Sequence, residues 1–199
     1  MGIVIDHEAR RLAIITKSIQ LFAEFGYDGV TYQKIADCCG IARTTLYKYF
    51  HNKRQIFNYA IWEGARISNQ RFAQILNPRD SAFTRLDRLM HAVLTLLFER
   101  KVMMTVILDY LLAAQRAGKN VERNIRRHTA VFKRIVHRLI LEGMRKGELK
   151  RMSSRLAVDL LYTHLEATVL RLTVSQNADY DELSVQIRQM LQLLRRKKA

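Results

Sequence analysis

Proline occurs once in the 199 residues, at Pro78, and glycine only eight times. A chain so poor in helix breakers excludes loop-rich and collagen-like architectures, and no stretch alternates apolar and polar residues between turn signals as a strand does. The long segments rich in Leu, Ile, Arg, Ala and Gln favour helix almost throughout. Cysteine is scarce too. Cys38 and Cys39 are adjacent and alone, which excludes a disulfide framework and a CxxC metal site. They read as reduced helix residues with Cys39 inward; a thiol switch lacks a resolving cysteine at workable spacing. No apolar run reaches the length of a membrane span, and the short apolar patch of MGIVIDHEARR is cut by Asp6 and Glu8. Neither a membrane anchor nor a signal peptide is expected, so the expected location is cytoplasmic. GxSxG, HExxH, Walker A and GxGxxG motifs are all missing, which argues against an enzyme and leaves no catalytic residue or cofactor to assign. The six histidines have no close ligand spacing. His128 and His137, nine positions apart, face opposite sides of one helix, so no metal site is expected, although ligands can converge from separate helices.

Acidic residues are also few: 18 Asp and Glu stand against 34 Lys and Arg, a net charge of +16. The imbalance invites a nucleic-acid reading, but it is unevenly spread. Residues 1–54 hold eight basic residues against five acids, so most of the excess lies further along the chain. A positive field raises the association rate with DNA without identifying the surface that reads it.

What the chain does have is the stretch Thr31 to Phe50, TYQKIADCCGIARTTLYKYF. Small Ala36 lets a second helix approach the first, and Gly40, four residues on, can take the positive φ that ends a helix. Ile41 plugs the corner; Leu46 and Phe50, one turn apart, bury the inner face of the second helix with Ile35 and Cys39 nearby. Arg43, Thr44, Thr45, Tyr47 and Lys48 then face outward, a mixture of hydrogen-bonding, aromatic and cationic groups suited to a major groove. The competing reading is an ordinary αα-corner with a polar solvent face.

The flanks frame this motif. A first helix is predicted from about Asp6, its N-cap, to Phe25, burying Leu12, Ile15, Ile19 and Phe22. Gly26 ends it and Tyr27-Asp28-Gly29 makes a turn. Thr31 caps the next helix, with Gln33 in a first turn suited to backbone phosphates. Asn52 caps a long helix reaching roughly to Leu76, whose amides and Lys53 would make a phosphate anchor.

The order AEFGYDGVTYQKIADCCGIARTTLYKYFHNK resembles the N-terminal domain of the TetR family of bacterial transcriptional regulators. The Phe-Gly-Tyr turn, Thr31, Ile35-Ala36, Gly40-Ile41, Thr45-Leu46-Tyr47, Phe50 and Lys53 carry the likeness at consistent spacing. The resemblance implies an all-α fold of about nine helices: a three-helix helix-turn-helix domain, 1–54, and a helical effector-binding and dimerisation domain, 55–199. It further implies a homodimer placing reading helices in successive major grooves of a partly palindromic operator. Gln33, Arg43, Thr44, Thr45, Tyr47, Tyr49 and Lys53 stand where that family contacts DNA, with Lys48 added from its exposed position. Arg43 and Thr44 occupy variable reading positions, and Tyr49 stands where many members have histidine.

Further on, Asn77-Pro78 breaks the long helix and Asp80 or Ser81 caps the next, whose apolar face holds Leu86, Leu89, Met90, Val93 and Leu97. Residues 102–114 are apolar almost all round and are predicted to be a buried helix. Lys119 to Lys146 makes an amphipathic helix with a cationic face, read as solvated or as an auxiliary contact with an anionic partner. Ser153 or Ser154 caps a helix marked by Leu156, Leu160, Leu161, Leu165 and Val169. Asn177 to Asp181 is a polar turn, and a last helix follows with Leu183, Ile187, Met190, Leu191 and Leu194. The closing run Arg195 to Lys198 complements the helix dipole. The last two helices can form a four-helix bundle across a two-fold axis. Polar groups set among apolar ones, His91, Asp109, Tyr110, His164, Glu166 and Arg171, are the candidates for an effector pocket, with Arg171 a candidate partner for a buried carboxylate. The expected function is a sequence-specific regulator, a repressor released by a small molecule. The alternative is a basic, weakly specific or architectural DNA binder without a dedicated effector.

Overall fold

The computed structural model describes residues 6–175 and 178–196; the side chains of residues 69, 75, 124, 127 and 128 also lie outside the description. Among the described residues there are nine helices: α1 (His7–Gly29), α2 (Tyr32–Cys39), α3 (Arg43–Tyr47), α4 (Lys53–Ile75), α5 (Ala82–Glu99), α6 (Lys101–Arg116), α7 (Val121–Arg145), α8 (Ser154–Val174) and α9 (Tyr180–Leu194). Their starts follow the capping chemistry. Asp6, Thr31, Asn52, Ser81, Asn120, Ser153 and Asp179 each accept a backbone N–H from the first turn they open. The basic tail is described only to Arg196, so Lys197 and Lys198, like Asn177 of the expected polar turn, lie outside the described residues.

Packing divides the chain into two compact units, Met1–Ile67 with Val102–Lys119, and Ser68–Lys101 with Asn120–Ala199. The boundary expected after residue 54 does not coincide with the packing boundary, because α4 to Ile67 and α6 from Val102 belong to the first unit.

In the first unit, Ile14, Ile15, Phe22, Ile35, Ala36, Leu46, Ile56 and Phe57 close one core, joined by Val106 of α6. Leu12, expected in the buried stripe, is 41 % exposed. The stripe runs instead through Ile14, Ile15, Ser18, Ile19, Leu21 and Phe22, and Ser18 sits in it because its hydroxyl donates to the Ile14 carbonyl. Helix α6 is not buried all round: Val106, Ala113 and Ala114 are covered, whereas Val102 and Leu112 are about half exposed. Continuous apolarity gives no period from which to choose the covered face.

In the second unit α5 packs against α7, α8 and α9, and α7 against α8. The core holds Leu86, Leu89, Met90 and Leu94 of α5, Val136, Leu139 and Ile140 of α7, Leu161, Leu165 and Leu172 of α8, and Leu183, Ile187 and Leu191 of α9. Leu156 and Leu160, placed by the sequence on the inward face of α8, are exposed, as are Leu170, Val174, Val185 and Leu193. Within one chain, then, α8 and α9 leave a second apolar stripe uncovered.

Candidate nucleic-acid interface

The candidate reading surface is built from the turn outward. Gly40 takes the left-handed conformation (φ 65°, ψ 36°), and the N–H of Ile41 donates to the Ala36 carbonyl at 3.1 Å. Ala36 and Leu46 are fully buried and Phe50 nearly so, which fixes the short α3 against α2. Arg43, Thr44, Tyr47 and Lys48 are thereby left exposed and Thr45 half-buried.

These side chains are not independent. The Tyr32 and Tyr47 rings lie 4.8 Å apart, and the Arg43 guanidinium lies within 6 Å of both ring centres while donating to the Tyr47 hydroxyl at 3.2 Å. Tyr32 in turn donates its hydroxyl to the Phe50 carbonyl. Burial, then the neighbouring Tyr47, pushes the Tyr32 pKa up to about 12. Arg43 therefore leans on a tyrosine shelf anchored in the helix-turn-helix core, and less side-chain entropy remains to be lost on binding. Sequence reading missed Tyr32, although its place at the start of α2, beside a cationic reading residue, was the available signal. It also missed Arg11, whose guanidinium sits over the Phe50 and Tyr59 rings and lines a basin of about 250 Å³ with Lys48, Tyr49 and His51.

The flanking candidates fare differently. The Gln33 amide donates to Asp37 at 2.7 Å. Tyr49 is half-buried, with its ring 5.9 Å from that of His7. Lys53 donates to the carbonyls of Tyr27 at 2.7 Å, Val30 at 2.9 Å and Asp28 at 3.3 Å. All three ammonium protons are thus directed at the turn before α2, and burial lowers the Lys53 pKa, with Asp28 partly offsetting it. Here Lys53 clamps that turn rather than standing free for a phosphate.

The six effector candidates are divided between the two units. Asp109 and Tyr110 belong to the first unit. The Asp109 carboxylate accepts the Tyr27 N–H at 2.6 Å, directly after Gly26, and the Tyr110 ring packs at 4.8 Å from Tyr27 and 4.4 Å from Phe57. Arg171 is not the partner of Asp109; it is exposed and pairs with Glu182 at 3.4 Å. Glu166 is exposed too. His91 and His164 are more enclosed, and each has a buried Nε2 with no hydrogen-bond partner among the described residues. Burial, then Arg171, lowers the His164 pKa. A cavity of about 250 Å³ in the second unit, between α4 and α5, is lined by Ser68, Arg71, Phe72, Ala92, Thr95 and Leu96, none of which was singled out from sequence. The signal was weak, because such residues at helical spacing look like core. Among the described residues no helix is long and apolar enough to cross a membrane, and no group of His, Cys, Asp and Glu could hold a metal.

A buried helical corner presenting a preorganised arginine, tyrosine and threonine face defines a helix-turn-helix DNA-binding regulator. The profile of bacterial regulatory proteins of the tetR family matches residues 14–60, and this part of the chain is a TetR-type helix-turn-helix domain. It is similar to the uncharacterized HTH-type transcriptional regulator YdeS of Bacillus subtilis (strain 168), 26% identical over 156 residues, covering 78% of this chain and 75% of YdeS. It is 40% identical over 48 residues to the biofilm operon icaADBC HTH-type negative transcriptional regulator IcaR of Staphylococcus aureus (strain Newman), but these cover only 24% of this chain and 26% of IcaR. The fold matches that of the transcriptional regulator FadR from Bacillus subtilis in complex with stearoyl-CoA, with a TM-score of 0.75 at 24% identity, over 90% of this chain and 96% of that one.

Proposed function

We propose that this regulator is a cytoplasmic homodimeric repressor that reads a partly palindromic operator and leaves it when a small, largely apolar molecule binds the second unit. The observation carrying the reading is Arg43 held on the Tyr32–Tyr47 shelf at the exposed face of α3. A guanidinium there suits bidentate contact with guanine O6 and N7, while Thr44 and Tyr47 suit neighbouring base edges or thymine methyls. Gln33, Lys48, Tyr49 and the first-turn amides of α4 are assigned to backbone phosphates, with Arg11 and His51 beside them. The exposed stripe of Leu156, Leu160, Leu170 and Val174 on α8, with Val185 and Leu193 on α9, supports a dimer through the last two helices. Negative regulation by IcaR agrees with repression.

For the effector, the cavity between α4 and α5 replaces the six-residue pocket. Phe72, Ala92 and Leu96 give it apolar walls, with Arg71 and Thr95 as polar groups. That lining, together with the stearoyl-CoA of the FadR complex, supports an acyl chain or a comparably apolar ligand. Binding that favours one dimer geometry would move the reading helices off half-sites about one turn apart.

Selection of bound duplexes from a randomised library tests the reading. A two-fold site with a guanine in each half is expected, lost or relaxed in Arg43→Ala and Tyr47→Ala. Site preference retained in both variants would overturn it. A library that yields no preferred sequence would favour the weakly specific binder instead. Titrating fatty acids and acyl-CoAs into the operator complex tests the effector: release is expected, and a cavity-filling Leu96→Trp should abolish release while preserving operator affinity. Failure of every acyl compound to release DNA sinks the acyl assignment.

A further inference from the structure

The family's reading surface leaves most of the chain's positive charge unexplained, and the second unit gathers part of that charge at one place. The loop after α7 and the end of α9 are stitched together: Lys150 N–H donates to the Leu194 carbonyl and Arg196 N–H to the Glu148 carbonyl, both at 2.9 Å, around an antiparallel bridge between Leu149 and Arg195. The stitching brings Arg145, Lys150, Arg151, Arg155, Arg195 and Arg196 to one end of the unit. All six are exposed, and none makes an ion pair with another described residue.

The neighbouring carboxylates are already engaged. Glu142 binds Arg85 and Lys146, and Glu148 accepts the Phe83 N–H at 2.8 Å. The cationic face of α7 is partly neutralised, since Arg126 pairs with Glu122 and Lys133 with Asp159. Arg123, Arg134 and Arg138 of α7 are exposed without an ion pair to a described residue too, but they are spaced along one helix, whereas the six at this end are drawn together from α7, the following loop, α8 and the end of α9. Like charges so close repel one another, and a polyanion relieves that repulsion.

We propose that this cluster is a second docking surface, independent of sequence, that grips the phosphate backbone of duplex nucleic acid. Five of the six residues are arginines, whose planar forks match phosphate oxygens. None of the six is aromatic, and Phe83, the ring beside them, is half-buried under Arg195 at 4.7 Å. Without exposed stacking platforms the surface suits a paired duplex better than single strands. It reads no bases, so it adds affinity and salt dependence to whatever the helix-turn-helix selects.

The test uses the full chain and a duplex lacking any operator, with binding measured across a salt titration. In R145Q/R151Q/R155Q/R196Q the slope of log K against log salt should flatten by about three to four, close to one for each phosphate no longer neutralised. The matched lysine variant R145K/R151K/R155K/R196K keeps the charge and should keep the slope, which separates a charge effect from a folding defect. In an R43A/Y47A background, which removes operator reading, the four glutamine substitutions should flatten the slope by the same amount, so the surface is tested separately from operator reading. An unchanged slope in the glutamine variant overturns the proposal. So does a glutamine variant that loses binding to phosphatidylserine vesicles while holding duplex DNA as before, since the partner would then be a membrane surface.

Discussion

Asp109 is the residue for which two assignments differ most sharply, as an effector ligand or as part of the helix-turn-helix scaffold, and its substitution separates them. Gly26 has φ 71° and ψ 160°, a conformation open to glycine alone, and the N–H exposed by that kink, Tyr27's, donates to Asp109 at 2.6 Å. Tyr27 is only 8% exposed, so in Asp109→Ala its N–H loses a charged acceptor where water has little access. The expected cost is about 2–3 kcal/mol, whereas Asp109→Asn keeps an amide oxygen as acceptor and should cost about 1 kcal/mol. Gly26→Ala should cost about 1–3 kcal/mol from backbone strain. The strain is within the backbone and not a clash with Asp109: a Cβ on Gly26 would lie 3.4 Å from the nearest Asp109 oxygen, an ordinary contact. Removing Asp109 therefore gives Gly26→Ala no relief; the two sites share the Tyr27 N–H, so their costs need not add, but the double variant should be no more stable than Gly26→Ala alone. Urea unfolding of the full chain, followed through the emission of Trp62 in α4, measures all four proteins; Asp109→Ala should lower the midpoint by about 1 M. An unchanged midpoint for Asp109→Ala, or rescue of Gly26→Ala by it, refutes the scaffold assignment. Unchanged stability with an altered effector response would restore Asp109 to a ligand site.

Three further outcomes follow from burial and charge. Burial raises the Tyr27 pKa to about 12 from an ordinary 10, so the unfolded chain loses that proton first. Stability should hold below pH 10 and fall as pH rises towards 12, and Tyr27→Phe should flatten that fall in alkaline unfolding titrations. His164 shifts the other way: its folded pKa is depressed, so stability is full above about pH 6.5 and declines as the pH falls through that value. His164→Gln should blunt the acid-side decline in thermal unfolding; an identical pH profile would contradict the enclosure of the ring. For the dimer, Leu160→Glu with Leu170→Glu places charges in the exposed stripe and should yield folded monomers in sedimentation equilibrium, with operator affinity reduced by at least about tenfold.

The parts of the fold legible in the sequence were those set by local chemistry. Asp6, Thr31, Ser81 and Ser153 cap as side-chain oxygens at helix starts must, and Gly26 and Gly40 take the positive φ that ends a regular segment. The helix-turn-helix was legible for the same reason, because its corner is closed by residues within twenty positions of one another. Misreadings arose where a helix has more apolar residues than one neighbour can cover. On α8, Leu161 and Leu165 are buried while Leu156 and Leu160 are exposed, and composition cannot say which stripe turns inward. The same degeneracy made α6 look wholly buried.

Lys53 shows why the functional surface was less legible than the motif containing it. From sequence, a lysine opening a helix after a reading helix is a phosphate ligand, since its charge and the helix dipole act together. In the structure its ammonium reaches back across 26, 25 and 23 positions to the carbonyls of Tyr27, Asp28 and Val30. Those carbonyls close the turn begun at Gly26, whose N–H side is held by Asp109. One charge thus caps each end of a single helical turn, an anion at its amides and a cation at its carbonyls, each matching the dipole it meets. The turn sets where α2 begins, α2 carries Tyr32, and Tyr32 supports Arg43. On the proposed function, Lys53 and Asp109 are positioning residues for DNA reading, acting through the backbone, and only the long-range contacts of the folded chain connect them.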